Sequence, residues 1–193
     1  ESNYLDPKVW VQLPGWWRAV LRFNNRLLGR ITIGPAIGMM SFIGADLRLI
    51  AGGDRRVLWS WLLHLPPLAL VLWIAVLSPM PIWAVLLSAY LATALLKIRT
   101  FLEHRAHERA SGRTVVVEDR GILALLFLNN CFHVVHHIHP KVPWYDLPAL
   151  YAERREHYLR RNDGYHYRSY VEVFRQYFWK AKDPVPHPLM KGE

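Results

Sequence analysis

Between Arg56 and Lys97 the chain runs for forty residues without a lysine, arginine, aspartate or glutamate, and His64 is the one readily titratable side chain in the run. Helices facing water do not go so long without charge. At 1.5 Å rise per residue about 20 residues cross a hydrocarbon core, so a stretch of this length suits two crossings. Ser78-Pro79-Met80-Pro81 divides it with a turn signal too short for anything but a tight connection. The sequence therefore predicts one helix over residues 57–78 and a second over 82–98. Trp59, Trp61, Trp73 and Trp83 fall mostly near the ends of these spans, where interfacial aromatics belong. The competing reading is a buried hairpin in a soluble protein, but a chain of 193 residues has too little else to wrap it.

The flanks orient the hairpin. Eight Lys and Arg precede it, sixteen follow it and the connecting turn has none, so both flanks and both ends of this chain are expected on the cytoplasmic side. The formal net charge of +9 is then positive-inside bias together with attraction to anionic headgroups, and no nucleic-acid partner is expected. Arg outnumbers Lys 18 to 6, consistent with a GC-rich bacterial genome and hence a bacterial inner membrane. A single Cys excludes a disulfide framework, and 52% hydrophobic residues exclude a disordered chain. No stretch reads as a cleavable signal peptide.

The expected fold class is an all-α membrane protein, a transmembrane helical hairpin with cytoplasmic histidine-bearing helices. Residues 1–56 form an interfacial or re-entrant segment, 57–98 the hairpin, 99–145 the histidine region, and 146–193 basic helices and a tail. Within 13–30, Arg18, Arg22, Arg26 and Arg30 recur every four residues among apolar side chains, the pattern of one helix lying in the interface plane. Residues 31–50 suit either a short re-entrant segment or an interfacial helix. His64, Pro66 and Pro67 are expected to interrupt the first membrane helix, with His64 hydrogen-bonded there rather than a ligand. Residues 151–177 suit two amphipathic helices around Asn162-Asp163-Gly164, and 183–193 an extended end.

Two histidine clusters follow the hairpin. His133, His136 and His137 stand at i, i+3 and i+4, a spacing that puts imidazoles on one helix face about 5–6 Å apart at Cβ and suits convergence on a metal. His104 and His107, also i, i+3, begin where the second membrane helix ends, so both clusters are expected at one depth. The apolar stretch 121–131 between them is suited to return the chain to the membrane face. For His104 and His107 alone, the ordinary alternative is a solvated helix face. His139 precedes Pro140 and lies past the expected helix end, which makes it the weakest ligand candidate of its cluster. Glu103 and Glu108 suit hydrogen bonds to imidazoles rather than direct ligation. His157, His166 and His187 read as surface groups, Cys131 alone makes no thiolate site, and the HExxH pattern of zinc peptidases is absent.

The run HVVHHIHPKVPWYDLP resembles the third histidine box and following tail of the integral-membrane fatty acid desaturases and related hydroxylases. The resemblance covers most of the chain, from ESNYLDP onward. It implies a non-haem di-iron centre at the cytoplasmic face that uses O₂ and two electrons to attack an acyl C–H bond. His133, His136 and His137 match the box and His104 resembles the additional ligand before it, whereas His107 has no secure counterpart. Asn129 and Asn130 match a position where Asn is common, suited to hydrogen-bond a ligand or metal-bound water. No catalytic residue beyond the metal ligands is implied. The implied partners are a membrane lipid or acyl chain, O₂, and a separate electron donor of ferredoxin, rubredoxin or cytochrome b5 type with its reductase. The family's two earlier boxes, HxxxH and HxxHH, have no counterpart, because His64 is the one histidine before His104. Four ligands cannot fill two iron coordination spheres, so the expectation is the C-terminal portion of a desaturase, inactive by itself or holding one incompletely ligated metal. A lipid hydroxylase, a carotenoid ketolase and a non-catalytic membrane protein with a residual or zinc-binding histidine cluster remain the alternatives.

Overall fold

The computed structural model describes residues 4–190 and is mostly helical. It packs as two units. One combines the residues up to Thr32 with those from Leu96 onward, and the other is Ile33–Leu95.

The second unit is built from α4 (Gly34–Ala51), α5 (Arg55–Leu77) and the greater part of α6 (Ile82–Thr100). Asp54 starts α5 by accepting hydrogen bonds from the amides of Arg56 (2.9 Å) and Val57 (3.2 Å), which satisfies two of the donors a helix N-terminus leaves open. Helices α5 and α6 are each long and apolar enough to cross a membrane. Within the chain α5 buries only Ala75, while Leu63, Val76 and Leu77 are about 70% exposed (71%, 69% and 68%). So large an apolar surface is unfavourable in water and suits the interior of a bilayer.

Helix α5 continues through Pro66 and Pro67 instead of breaking there, a correction to the expected interruption. Each proline removes one donor but leaves the neighbouring turns intact, and in apolar surroundings a full break would leave still more backbone groups without partners. Residues 34–51 form one 18-residue helix, ending in a tight turn at Gly52 and Gly53. It packs on α5, where Trp61 Nε1 donates to Asp46 Oδ2 at 2.9 Å and the His64 ring meets the Trp61 ring edge-on at 6.2 Å.

In the first unit the expected single helix over 13–30 is two: α2 (Gly15–Asn24) and α3 (Leu27–Thr32), after a short α1 (Pro7–Gln12). The break is caused by tertiary pairing. Arg26 bridges Ala181, the amide of Leu28 donates to the Phe178 carbonyl at 3.2 Å, and Asn25 Nδ2 donates to the Asp183 carbonyl. Gly29 permits the sharp junction, since a Cβ there would lie 1.9 Å from the Phe23 carbonyl oxygen. The arginine stripe is not uniformly solvated either. Arg22 lies over the Trp10 ring at 5.5 Å and Arg30 over Phe101 at 5.9 Å.

The rest of this unit holds α7 (Ile122–Leu126), α8 (His133–Ile138), α9 (Leu147–Glu153), α10 (Arg155–Arg161) and α11 (Tyr170–Tyr177). Two short parallel strands, β1 (Val116–Val117) and β2 (His166–Tyr167), qualify the all-α expectation. They sit in the core with Leu102, Phe132, Val135, Tyr158 and Val173, each at most 2% exposed. Asn162-Asp163-Gly164 closes α10 as expected. Asp163 and Gly164 adopt positive φ (58° and 65°), and the fully buried Asn162 donates to the carbonyls of Thr114 and Tyr165. β2 then intervenes before Ser169, which caps α11 by accepting from the Glu172 amide at 3.3 Å.

His166 is not a free surface group, because its Nε2 lies 3.0 Å from Glu118 Oε2. The tail is also anchored. The amide of Leu5 donates to the Val185 carbonyl at 2.9 Å, and the amide of His187 to the Leu5 carbonyl at 2.8 Å.

Candidate metal centre

Two segments build the site. The first is the chain leaving α6, which becomes extended rather than helical. His104 bridges Thr114, and the amide of Arg105 donates to the Arg113 carbonyl at 2.9 Å, folding 103–115 back on itself. The expectation that His104 and His107 share a helix face is therefore corrected. Without a helix the i, i+3 spacing no longer brings the two side chains together, and His107 turns to Asp163 instead. The second segment is α8, six residues long, preceded by a turn in which Leu128 and Asn129 both adopt φ of 51°.

Across 29 residues of sequence, His133 Nε2 comes to 3.2 Å from His104 Nε2, and His137 Nε2 to 3.1 Å from His133 Nε2. The ligand atoms of His104, His133 and His137 all lie within 4.8 Å of one another. At metal–nitrogen bonds of about 2.1 Å, two donors subtending 90° to 109° at one ion are about 3.0 to 3.4 Å apart. The two spacings that His133 makes, 3.2 and 3.1 Å, fall in that range, and a modest inward shift of His104 and His137 would bring all three imidazoles onto one ion; among the described residues these are the ones that so converge. They do not make two complete coordination spheres.

The other nitrogen of His133 is held as well. Its Nδ1 lies 3.2 Å from Asn130 Oδ1, Asn130 Nδ2 donates to Glu103 Oε1 at 3.2 Å, and Glu103 Oε1 pairs with Arg99 Nε at 2.8 Å. A donor Nδ1–H facing the amide oxygen leaves the Nε2 lone pair toward the other two histidines, the tautomer a ligand needs. His133 is 6% exposed. Burial, and then the neighbouring His137, His104, His136 and Arg99, push its pKa down to about 3, so it is neutral at any ordinary pH. Burial and the adjacent His136 also lower that of His137, against the pull of Glu103.

The remaining candidates sit apart from the three nitrogens. The His136 ring is 6.2 Å from that of His133 and 6.1 Å from that of His137. His107 faces Asp163 Oδ2 at 3.1 Å through Nε2, and its Nδ1 accepts from the Arg109 amide at 3.1 Å, so both ring nitrogens are used away from the cluster. His139 stands at the end of α8 with its ring against Tyr158, 6.3 Å between centroids. Asn129 Nδ2 donates to the Trp144 carbonyl, unlike its neighbour Asn130, which joins the site. Cys131 is buried, and burial with nearby Asp119 pushes its thiol up to about 12, which makes it inert. Sequence reasoning missed Arg99, whose i, i+4 spacing to Glu103 across the end of α6 was a readable signal, and Lys182, which had none.

A membrane-capable helical hairpin followed by three converging histidines is an arrangement suited to a metal site beside a membrane. The chain belongs to the fatty acid desaturase family, whose family model matches residues 2–169. Neither the search of curated proteins nor that of solved structures returned a match. Membership places the chain in a membrane-associated family of oxidoreductases that act on lipid.

Proposed function

We propose that this chain is the histidine-bearing C-terminal portion of a membrane acyl-lipid desaturase. His104, His133 and His137 hold one iron of a di-iron centre, and His136 is offered to the second iron, whose other donors come from histidine boxes outside this sequence. The convergence of three Nε2 atoms inside the family-matched region carries the reading. The centre, when bound, supplies the O₂ chemistry that removes two hydrogens from an acyl chain with two electrons from a separate donor.

The chain's own part is to bind and orient. The neutral imidazoles leave the charge of an ion uncancelled, Asn130 fixes the tautomer of His133, and α5 and α6 offer apolar surface along which an acyl chain lies. In this reading both flanks lie on the cytoplasmic side of a bacterial inner membrane, a placement supported by the Lys and Arg that flank the uncharged hairpin. There the exposed Arg154, Arg160 and Arg161 meet anionic headgroups.

The test is expression of the extended reading frame carrying the upstream boxes, with mass-spectrometric analysis of total fatty acids and iron. A new double bond, lost in His133→Ala, supports the proposal. A new hydroxyl or keto group moves the protein to a sister oxygenase, and an iron-free, folded protein with an unchanged lipid profile refutes the reading.

A further inference from the structure

The stretch that follows α11 lies beyond the family-matched residues, yet it reaches the metal centre. Lys182 Nζ donates to the backbone carbonyl of His104 at 2.9 Å and to Tyr165 Oη at 3.2 Å, and pairs with Asp183 Oδ2 at 3.3 Å. An ammonium has three N–H donors, and these three acceptors use all of them. The side chain is 9% exposed and sits between the rings of Phe101 (5.8 Å) and Tyr165 (5.7 Å). Tyr165 Oη donates in turn to the Leu102 carbonyl at 2.7 Å, so the carbonyls on both sides of Glu103 are tied to one buried pair. The strap bearing Lys182 is itself fixed by its pairing with Asn25, Arg26 and Leu5.

Burying a lysine is costly unless its charge is paired and hydrogen-bonded, and an apolar residue would fill the same space without that cost. What the ammonium provides is a fixed position for the backbone of His104. This imidazole comes from an extended loop, whereas His133 and His137 share a helix and need no such tie.

We propose that Lys182 is a positioning residue for the metal centre, holding the His104 backbone so that its imidazole completes the three-histidine site. The inference rests on the metal-site reading above. It predicts that loss of the Lys182 contacts leaves the His133–His137 pair in place and releases the third donor.

The test is titration of the purified full chain in detergent with Co²⁺ alone, followed by visible absorption. Outer partners of metal ligands commonly change affinity about 10- to 100-fold, and a weakening of that size is expected in Lys182→Met, with altered Co²⁺ bands. Val173→Ala, a core truncation in α11, which carries none of the three histidines, is the control that lowers thermal stability with parental Co²⁺ affinity. If Lys182→Met does not fold, Lys182→Ala titrated with and without n-propylammonium replaces it, and recovery of Co²⁺ affinity by the amine supports the role. Parental affinity and bands in Lys182→Met, equal weakening in Val173→Ala, or no recovery by the amine overturns the inference while leaving the site standing. Absence of Co²⁺ binding by the parent chain refutes the site itself.

Discussion

Asn130 stands between the interior of the site and the end of α6, and replacing it with alanine breaks both of its hydrogen bonds, each 3.2 Å long. His133 Nδ1 is then left without its amide partner in a ring only 6% exposed, which costs about 1–3 kcal/mol. The imidazole is freed to rotate or change tautomer, so Co²⁺ affinity should fall by about 10- to 100-fold, or roughly 1.4–2.8 kcal/mol. Asn130→Asp sharpens the test. In the parent, His133 is held down to about 3 from its usual 6.5, so the folded chain binds fewer protons there than the unfolded chain. That contribution to stability is complete above pH 6.5 and is lost as pH falls from 6.5 toward 3. A carboxylate beside Nδ1 favours the imidazolium and raises this pKa. Co²⁺ binding by the Asp variant should therefore weaken more steeply than the parent's between about pH 7 and 5. Isothermal titration at several pH values measures both effects. Parental affinity in Asn130→Ala, or a parental pH profile in Asn130→Asp, would falsify the assignment of Asn130 as the group that orients His133.

His107→Ala should leave Co²⁺ affinity unchanged and lower thermal stability by about 1 kcal/mol, through loss of the Asp163 and Arg109 contacts; a loss of metal binding would place His107 in the site after all. Glu118 is held down to about 2, against its own burial, by hydrogen bonds from Arg155, Tyr151 and His166. The shift from 4.5 corresponds to about 3 kcal/mol, and solvent screening reduces it to about 1–2 kcal/mol. This stability is present above pH 4.5 and is lost as pH falls through about 2, so denaturation midpoints of the parent and Glu118→Gln should converge on acidification. For topology, Ser78→Cys should react with a membrane-impermeant thiol reagent from the periplasmic side of intact cells, and Lys180→Cys only after the inner membrane is opened. Buried Cys131 should stay silent in both.

The two long apolar helices were legible almost to the residue, with 57–78 expected against Arg55–Leu77 found and 82–98 against Ile82–Thr100. The reason is that charge is excluded from lipid more strictly than any propensity acts. The pair His133 and His137 was legible because i, i+4 spacing fixes two side chains on one helix face. His136 obeys the companion i, i+3 rule, yet its ring stays about 6 Å from both partners (6.2 and 6.1 Å), since a shared face does not fix ring direction. The break of 13–30 was hidden because its cause, pairing with residues 178–183, lies 150 to 158 positions away. The extended path of His104 was hidden for a similar reason: the partner that prevents a helix is Thr114 rather than anything in the local pattern. Lys182 is one of 24 basic residues and carries no local mark.

The pairing of Leu5 with Val185 also has a consequence for synthesis. At about 5–20 residues per second, the ribosome needs roughly 10–35 s to make the chain between these partners. During that interval the two long apolar helices are complete, because each closes its own backbone hydrogen bonds without the distant partner. The segment around Leu5, in contrast, waits unpaired until Val185 has been made. The hairpin is thus formed before the unit that carries the histidines can close.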